Sequence, residues 1–151
     1  MRHWRIYMDS CCYSRPYDDL SDSMVRLEGE AVITIIDKCE KHDLTLYGSD
    51  VLVDELNRIT DKTKFEKVNT LYSSSASCTI ELCESIVNRA QELVSKGIKP
   101  FDALHVASAE HEKVDVFLST DKRLLKAAKR VGISVKACNP AIWLLEVLQN
   151  E

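Results

Sequence analysis

The feature that most constrains this chain is alternation. Short runs rich in β-branched and aromatic residues are separated by segments whose apolar residues return at helical spacing. Residues 5–8 read as a first strand, 44–47 as a second, 76–80 as a third, 115–118 as a fourth and 133–137 as a fifth. Between them, 24–41 carries Met24, Val25, Leu27, Ala31, Val32, Ile35, Ile36 and Cys39 close to a 3.6-residue period. Further helices are expected over 51–59, 62–72, 82–95, 100–113, 121–131 and 140–148. Start signals stand at Ser21-Asp22-Ser23, at Ser49 or Asp50, and at Pro100 and Pro140, while Gly97 and Gly132 supply left-handed stops. Strand–helix alternation implies βαβ units, hence a parallel sheet with helices on both faces, an α/β class. With 151 residues and only four Gly and three Pro, the chain is expected to be one domain, 1–151, without a linker.

Composition narrows the function. The net charge of −4 argues against a simple basic nucleic-acid-binding module. It leaves room for a nucleic-acid enzyme that holds divalent cations, because bound cations invert the local field. Apolar runs such as Ala141-Ile142-Trp143-Leu144-Leu145 are too short to span a bilayer, and no signal-peptide core is evident, so a cytoplasmic address is expected. The six cysteines, at 11, 12, 39, 78, 83 and 138, form no CxxC pair. Adjacent Cys11 and Cys12 are poorly placed to hold one ion together and read as small packing groups. Neither a glycine-rich phosphate loop nor a redox motif is present, which leaves a phosphate-handling or redox enzyme of another α/β family without support.

Open α/β sheets place their sites beyond the carboxyl ends of the strands, so acids at those ends carry the argument. Asp9 follows the first strand directly, and Asp121 follows the fourth after Ser119-Thr120. Glu55 lies in the early turns of the helix after the second strand, and Asp102 in the first turn of the helix that Pro100 opens. A single acid at a helix start often only complements the dipole. Four acids converging on one cleft repel one another, and a divalent cation is the usual remedy. Hard oxygen donors suit Mg²⁺ or Mn²⁺, in a site for one or two ions roughly 4 Å apart that activates water for phosphodiester cleavage.

Those acids stand in the phrases "IYMDSCCYSRP", "SDVLVDELNRI", "KPFDALHVASAE" and "FLSTDKRLLKAA". In that order, and over essentially the whole chain, they resemble the PIN domain. The "DALHVASA" phrase after a proline, followed by a strand and Ser119-Thr120-Asp121, is the most specific part. The opening "DSCCYSRPYDD" further resembles a bacterial and archaeal PIN subgroup with a Cys-Cys-x-x-Arg-Pro segment after its first aspartate. The resemblance implies a three-layer α/β fold with a central parallel sheet of about five strands. It implies a metal-dependent ribonuclease, of which many are VapC-type toxins that cleave RNA and are held inactive by a cognate antitoxin. Asp9, Glu55, Asp102 and Asp121 would then be the catalytic metal ligands. Ser119 would support them by hydrogen bonding, and Asn139 stands where some relatives add another acid, offering an oxygen without a charge. The alternative is a catalytically weak PIN-fold module that binds RNA or protein.

Other residues admit two readings each. His105, one turn after Asp102, can serve as a general base or, more commonly at that spacing, as a partner that orients an acid. Arg15, Arg58, Lys122 and Arg123 flank the acids and either meet RNA phosphates or are ion-paired surface groups. Asp18 and Asp19 suit capping and surface roles. The apolar helix 141–148 either packs on the sheet or helps form a homodimer.

Overall fold

The arrangement of the strands decides where a site can form. In the structure, a computed structural model, residues 3–41 and 43–150 are described. The chain runs β1 (Trp4–Met8), α1 (Ser10–Ser14), a 3-10 turn (Arg15–Tyr17), α2 (Ser23–Glu40), β2 (Leu44–Ser49), α3 (Asp50–Leu56), α4 (Lys62–Ser75) and β3 (Cys78–Ile80). It continues through α5 (Glu84–Ser95), α6 (Pro100–Glu112), β4 (Val116–Leu118), α7 (Lys122–Val131), β5 (Lys136–Cys138) and α8 (Pro140–Gln149). The described strands form one sheet in the order β3-β2-β1-β4-β5, and every pairing is parallel. The expected three-layer α/β architecture is what the chain adopts.

The central strands are buried on both faces, as a parallel sheet covered by helices requires. Ile6, Tyr7, Met8, Val116, Phe117 and Leu118 are all fully buried. The Tyr7 and Phe117 rings stack at 5.6 Å between centroids. Helix α2 buries Ala31, Val32, Ile35 and Ile36 against the sheet. Helix α8 adds Trp143 and Leu144, with Trp143 edge-to-face on Trp4 at 5.5 Å. Its Ile142, Leu145 and Leu148 remain exposed. At the end of β2, a Cβ on Gly48 would collide with the Tyr72 hydroxyl, which accepts the Ser49 N–H at 3.1 Å. Among the described residues no helix is long and apolar enough to cross a membrane.

Two strand starts shift, and one stretch without a stated expectation takes on structure. Residues 10–17 form a short helix and a 3-10 turn, too brief for periodicity to reveal. The fifth strand begins at Lys136 rather than 133, because the Ile133 N–H bonds back to Ala128 and closes α7. The third begins at Cys78 rather than 76, because Ala76 N–H closes α4 on Tyr72. The chain winds outward from β1 through β2 to β3, then crosses to β4, so the topological switch point lies between β1 and β4.

Candidate metal centre at the switch point

Asp9 leaves β1 at that switch point. Its backbone N–H donates to Leu118 O at 3.1 Å, which ties the ends of β1 and β4 together. Its side chain does not cap α1. It accepts instead from the Cys11 thiol and bonds with Ser119, and it is 3% exposed. Burial pushes its carboxyl well above the usual carboxylate range, and the neighbouring Cys11 adds to that. Cys11 is pulled down to about 6 by hydrogen bonding from Cys12 and Asp9, against its own burial. Asp9 and Cys11 therefore titrate as a pair. Ser119, fully buried, also accepts the Asp121 N–H at 3.0 Å, so one hydroxyl spans the ends of β1 and α7.

Glu55 is positioned by a buried relay. The Leu52 N–H donates to Ser49 Oγ at 3.0 Å, Ser49 meets the Tyr7 hydroxyl at 2.8 Å, and Tyr7 meets His105 Nδ1 at 2.6 Å. His105 Nε2 lies 2.9 Å from Glu55 Oε1, and Ser10 donates to the same oxygen. A single direction satisfies every member: Ser49 donates to Tyr7, Tyr7 to Nδ1, and Nε2–H to the carboxylate. Burial pushes Glu55 up, but the bonds from His105 and Ser10 outweigh it and hold the carboxyl below its usual range. Ser10 and Tyr7 are not singled out by the sequence, and Ser49 is marked there only as a helix start, the cap it does provide to Leu52 N–H.

Asp102 and Asp121 line a cavity of about 240 Å³ together with Ile98, Lys99, Arg123 and Leu124. Burial, then the charge of Asp121, pushes Asp102 above its usual range, and Glu55 contributes in the same direction. Asp121 also caps α7, accepting from Arg123 and Leu124 N–H groups at 2.9 and 3.2 Å. The remaining candidates are placed less centrally. Asn139 caps α8 through Oδ1 and donates Nδ2 to Glu28 at 2.6 Å, so its carboxamide is committed away from a ligand role. Arg15 lies 3.1 Å from Asp18, and its Nε lies 3.2 Å from Glu28 but is poorly aligned for a hydrogen bond. Both acids hold that guanidinium against α2. Arg58 pairs with Asp54 at 3.6 Å and sits over the Phe101 ring at 4.8 Å. Lys122 and Arg123 are exposed at the start of α7. Asp22, rather than Asp18 or Asp19, caps α2.

The donor chemistry fits a hard divalent cation. None of the ion pairs among the described residues involves Asp9, Asp102 or Asp121. Asp9 and Asp102 are both pushed up in pKa, chiefly by burial, a cost that a bound cation would relieve. The four acids do not close on a point. Among the described residues the one compact donor group is Asp9, Cys11 and Cys12, whose ligand atoms lie within 4.8 Å of one another. Carboxylates spaced apart, as Asp102 and Asp121 are around their cavity, suit Mg²⁺ or Mn²⁺, which retain several waters. The sulfur of Cys12 joins the group because α1 begins at Ser10 and turns both thiols back toward Asp9.

Comparison with known proteins agrees with this architecture. The family model described as "PIN domain" matches residues 27–130, which include Glu55, Asp102, Ser119 and Asp121 and leave Asp9 outside. The crystal structure of PAE2754 from Pyrobaculum aerophilum is similar, with a TM-score of 0.58 at 18% identity, covering 97% of this chain and 90% of that one. No curated protein matches the sequence.

Proposed function

The chain belongs to the PIN domain family, whose members are generally nucleases, and we propose that it is a Mg²⁺- or Mn²⁺-dependent endoribonuclease, the toxin of a type II toxin–antitoxin pair. The observation that carries the metal-dependent reading is Asp9: a buried carboxyl at the switch point, outside every ion pair among the described residues and raised in pKa chiefly by its burial. Asp9, Glu55, Asp102 and Asp121 would hold the ion. When bound, such an ion lowers the pKa of a water and offsets charge on the scissile phosphate. The protein's own part is positional. The relay through Tyr7 and His105 fixes the Glu55 oxygen, and Ser119 holds Asp9 and the start of α7 in register. Lys99 and Arg123 place positive charge beside Asp102 and Asp121, where an RNA backbone would lie.

The RNA substrate, the toxin role, a cytoplasmic setting and a protein antitoxin are part of this proposal through the resemblance to VapC-type proteins. The exposed Ile142, Leu145 and Leu148 on α8 favour a homodimer. Purified protein is expected to cleave RNA with Mn²⁺ and not with chelator, and Asp9→Asn to abolish cleavage with the fold intact. Full Mn²⁺-dependent activity in Asp9→Asn would overturn the mechanism. Calorimetry showing no Mn²⁺ binding would favour the RNA- or protein-binding module instead. Neutralisation of toxicity by a small protein encoded beside this one tests the toxin role.

A further inference from the structure

We propose that Asp9, Cys11 and Cys12 form a second, thiophilic metal site that takes Zn²⁺ and shares Asp9 with the hard-metal centre. The ligand atoms of the three lie within 4.8 Å of one another, the compact donor group among the described residues. Asp9 and Cys12 are buried, and Cys11 is half-buried. The Cys11 thiol already points at Asp9, and it lies 3.7 Å from the Ser119 hydroxyl. Two thiolates and one carboxylate make a three-ligand set with one position open to water, a coordination Zn²⁺ accepts. Mg²⁺ and Mn²⁺ gain little from sulfur, whereas Zn²⁺ binds a mixed sulfur–oxygen site more tightly than Mn²⁺ does. Binding displaces the proton of the Cys12 thiol and the one shared between Asp9 and Cys11, and forms two Zn–S bonds and one Zn–O bond, with no change of oxidation state. The Cys12 thiol gives up its bond to Leu118 O, at 3.4 Å, in exchange.

The consequence is antagonism. A zinc ion on Asp9, Cys11 and Cys12 draws on the carboxylate that the hard ion needs and sets a second dication beside it, so each ion weakens the binding of the other. Zn²⁺ therefore inhibits rather than activates, an effect that rests on the nuclease reading above; the binding itself does not.

The test uses the reduced full-length protein and Cd²⁺ alone as a probe, read by its ultraviolet sulfur-to-cadmium charge-transfer band. Wild type is expected to show the band with one equivalent bound, and saturating Mn²⁺ to weaken it. Cys11→Ser should lose at least half of it, and Cys11→Ser/Cys12→Ala all of it, while Cys138→Ser keeps it. Thermal melts check that each variant is folded, and Cys11→Ser, altered at a half-buried position, keeps the test open if the double variant does not fold. No band in wild type, or a full band in Cys11→Ser, overturns the site; indifference to Mn²⁺ overturns the sharing of Asp9. Where Mn²⁺ supports RNA cleavage, Zn²⁺ should block it in wild type and need at least tenfold higher concentration in Cys11→Ser. If no RNA is cleaved but the band behaves as stated, the nuclease reading fails and this site stands.

Discussion

Two carboxylates in this protein are equally hidden from water, and they are used in opposite ways. Asp9 and Glu28 are each 3% exposed. Glu28, on α2, has Arg15 beside it and receives the Asn139 amide at 2.6 Å, so its charge is matched and its oxygens are occupied. The contacts join α2, the 3-10 turn and the end of β5. Asp9 receives only a thiol and a hydroxyl, and burial lifts its pKa. Burial therefore does not by itself mark a functional acid. The mark is burial without a protein cation, because the desolvation cost is then left for an ion from solution to offset.

The largest effect expected from this contrast is a reciprocal one. Asp9→Asn should lower metal-dependent cleavage at least ~1000-fold, since metal charge stabilisation is worth several kcal/mol and each 1.36 kcal/mol is tenfold. It should leave the melting temperature unchanged or higher, because the cost of ionising a buried carboxyl is removed. Glu28→Gln should do the reverse. It should cost about 1–3 kcal/mol of stability, as a charged hydrogen-bonded partner is lost, while cleavage per folded molecule stays at wild-type level. Denaturant melts and single-turnover assays on both variants check the pair. A stability loss in Asp9→Asn would break the contrast.

Next in size is the relay behind Glu55. Tyr7→Phe keeps the ring stacked on Phe117 but removes the hydroxyl between Ser49 and His105 Nδ1. His105 then lacks one of the two partners that orient it, and Mn²⁺ affinity or activity should fall about 10–100-fold, as for other groups that orient metal ligands. Nitrogen NMR of His105 distinguishes this from simple destabilisation, since the Nδ1 resonance should shift on losing its donor while Nε2–H stays on Glu55.

The pH dependence of stability separates the carboxylates further. Asp9 is raised in the folded state, so between an unfolded value near 3.9 and its folded value the native protein holds a proton that the unfolded chain has lost. Stability should fall as pH rises through that window. Asp102 has the same sign, whereas Glu55, lowered, contributes stability above its unfolded value that is lost on acidification. Asp9→Asn should flatten the descending limb, and so should saturating Mn²⁺, which at about 100 times its Kd adds roughly 2.7 kcal/mol to the wild type. Melts across pH with and without Mn²⁺ test this.

The contrast also shows what a sequence can carry. The strand–helix order, Asp9 at a strand end and Asp121 after the next central strand are legible because periodicity and topology are local or near-local signals. Glu28 was invisible as a special residue, one polar letter in an amphipathic helix, because its partners Arg15 and Asn139 are joined to it only by tertiary packing. The closeness of the Cys11 and Cys12 sulfurs to Asp9 is invisible in the sequence for a similar reason. Their convergence depends on a five-residue helix, Ser10–Ser14, that leaves no hydrophobic period. Tyr7 is hidden by the company of apolar strand residues, and Ser49 is legible as a helix cap but not as a member of the relay.

The smallest predicted effect concerns Asn139, which sequence position offers as a stand-in for another metal-binding acid. In the structure its Oδ1 caps α8 and its Nδ2 serves Glu28. Asn139→Asp preserves the cap, because an aspartate accepts the same N–H groups. It replaces the donor facing Glu28 with a second acid, at a cost of about 1 kcal/mol at neutral pH. That cost should shrink as pH falls and one of the two acids takes up a proton. Mn²⁺ stoichiometry by calorimetry should not rise. An additional ion bound by this variant would mean that position 139 turns toward Asp9 rather than Glu28, and the division between the paired acid and the unpaired one would have to be redrawn.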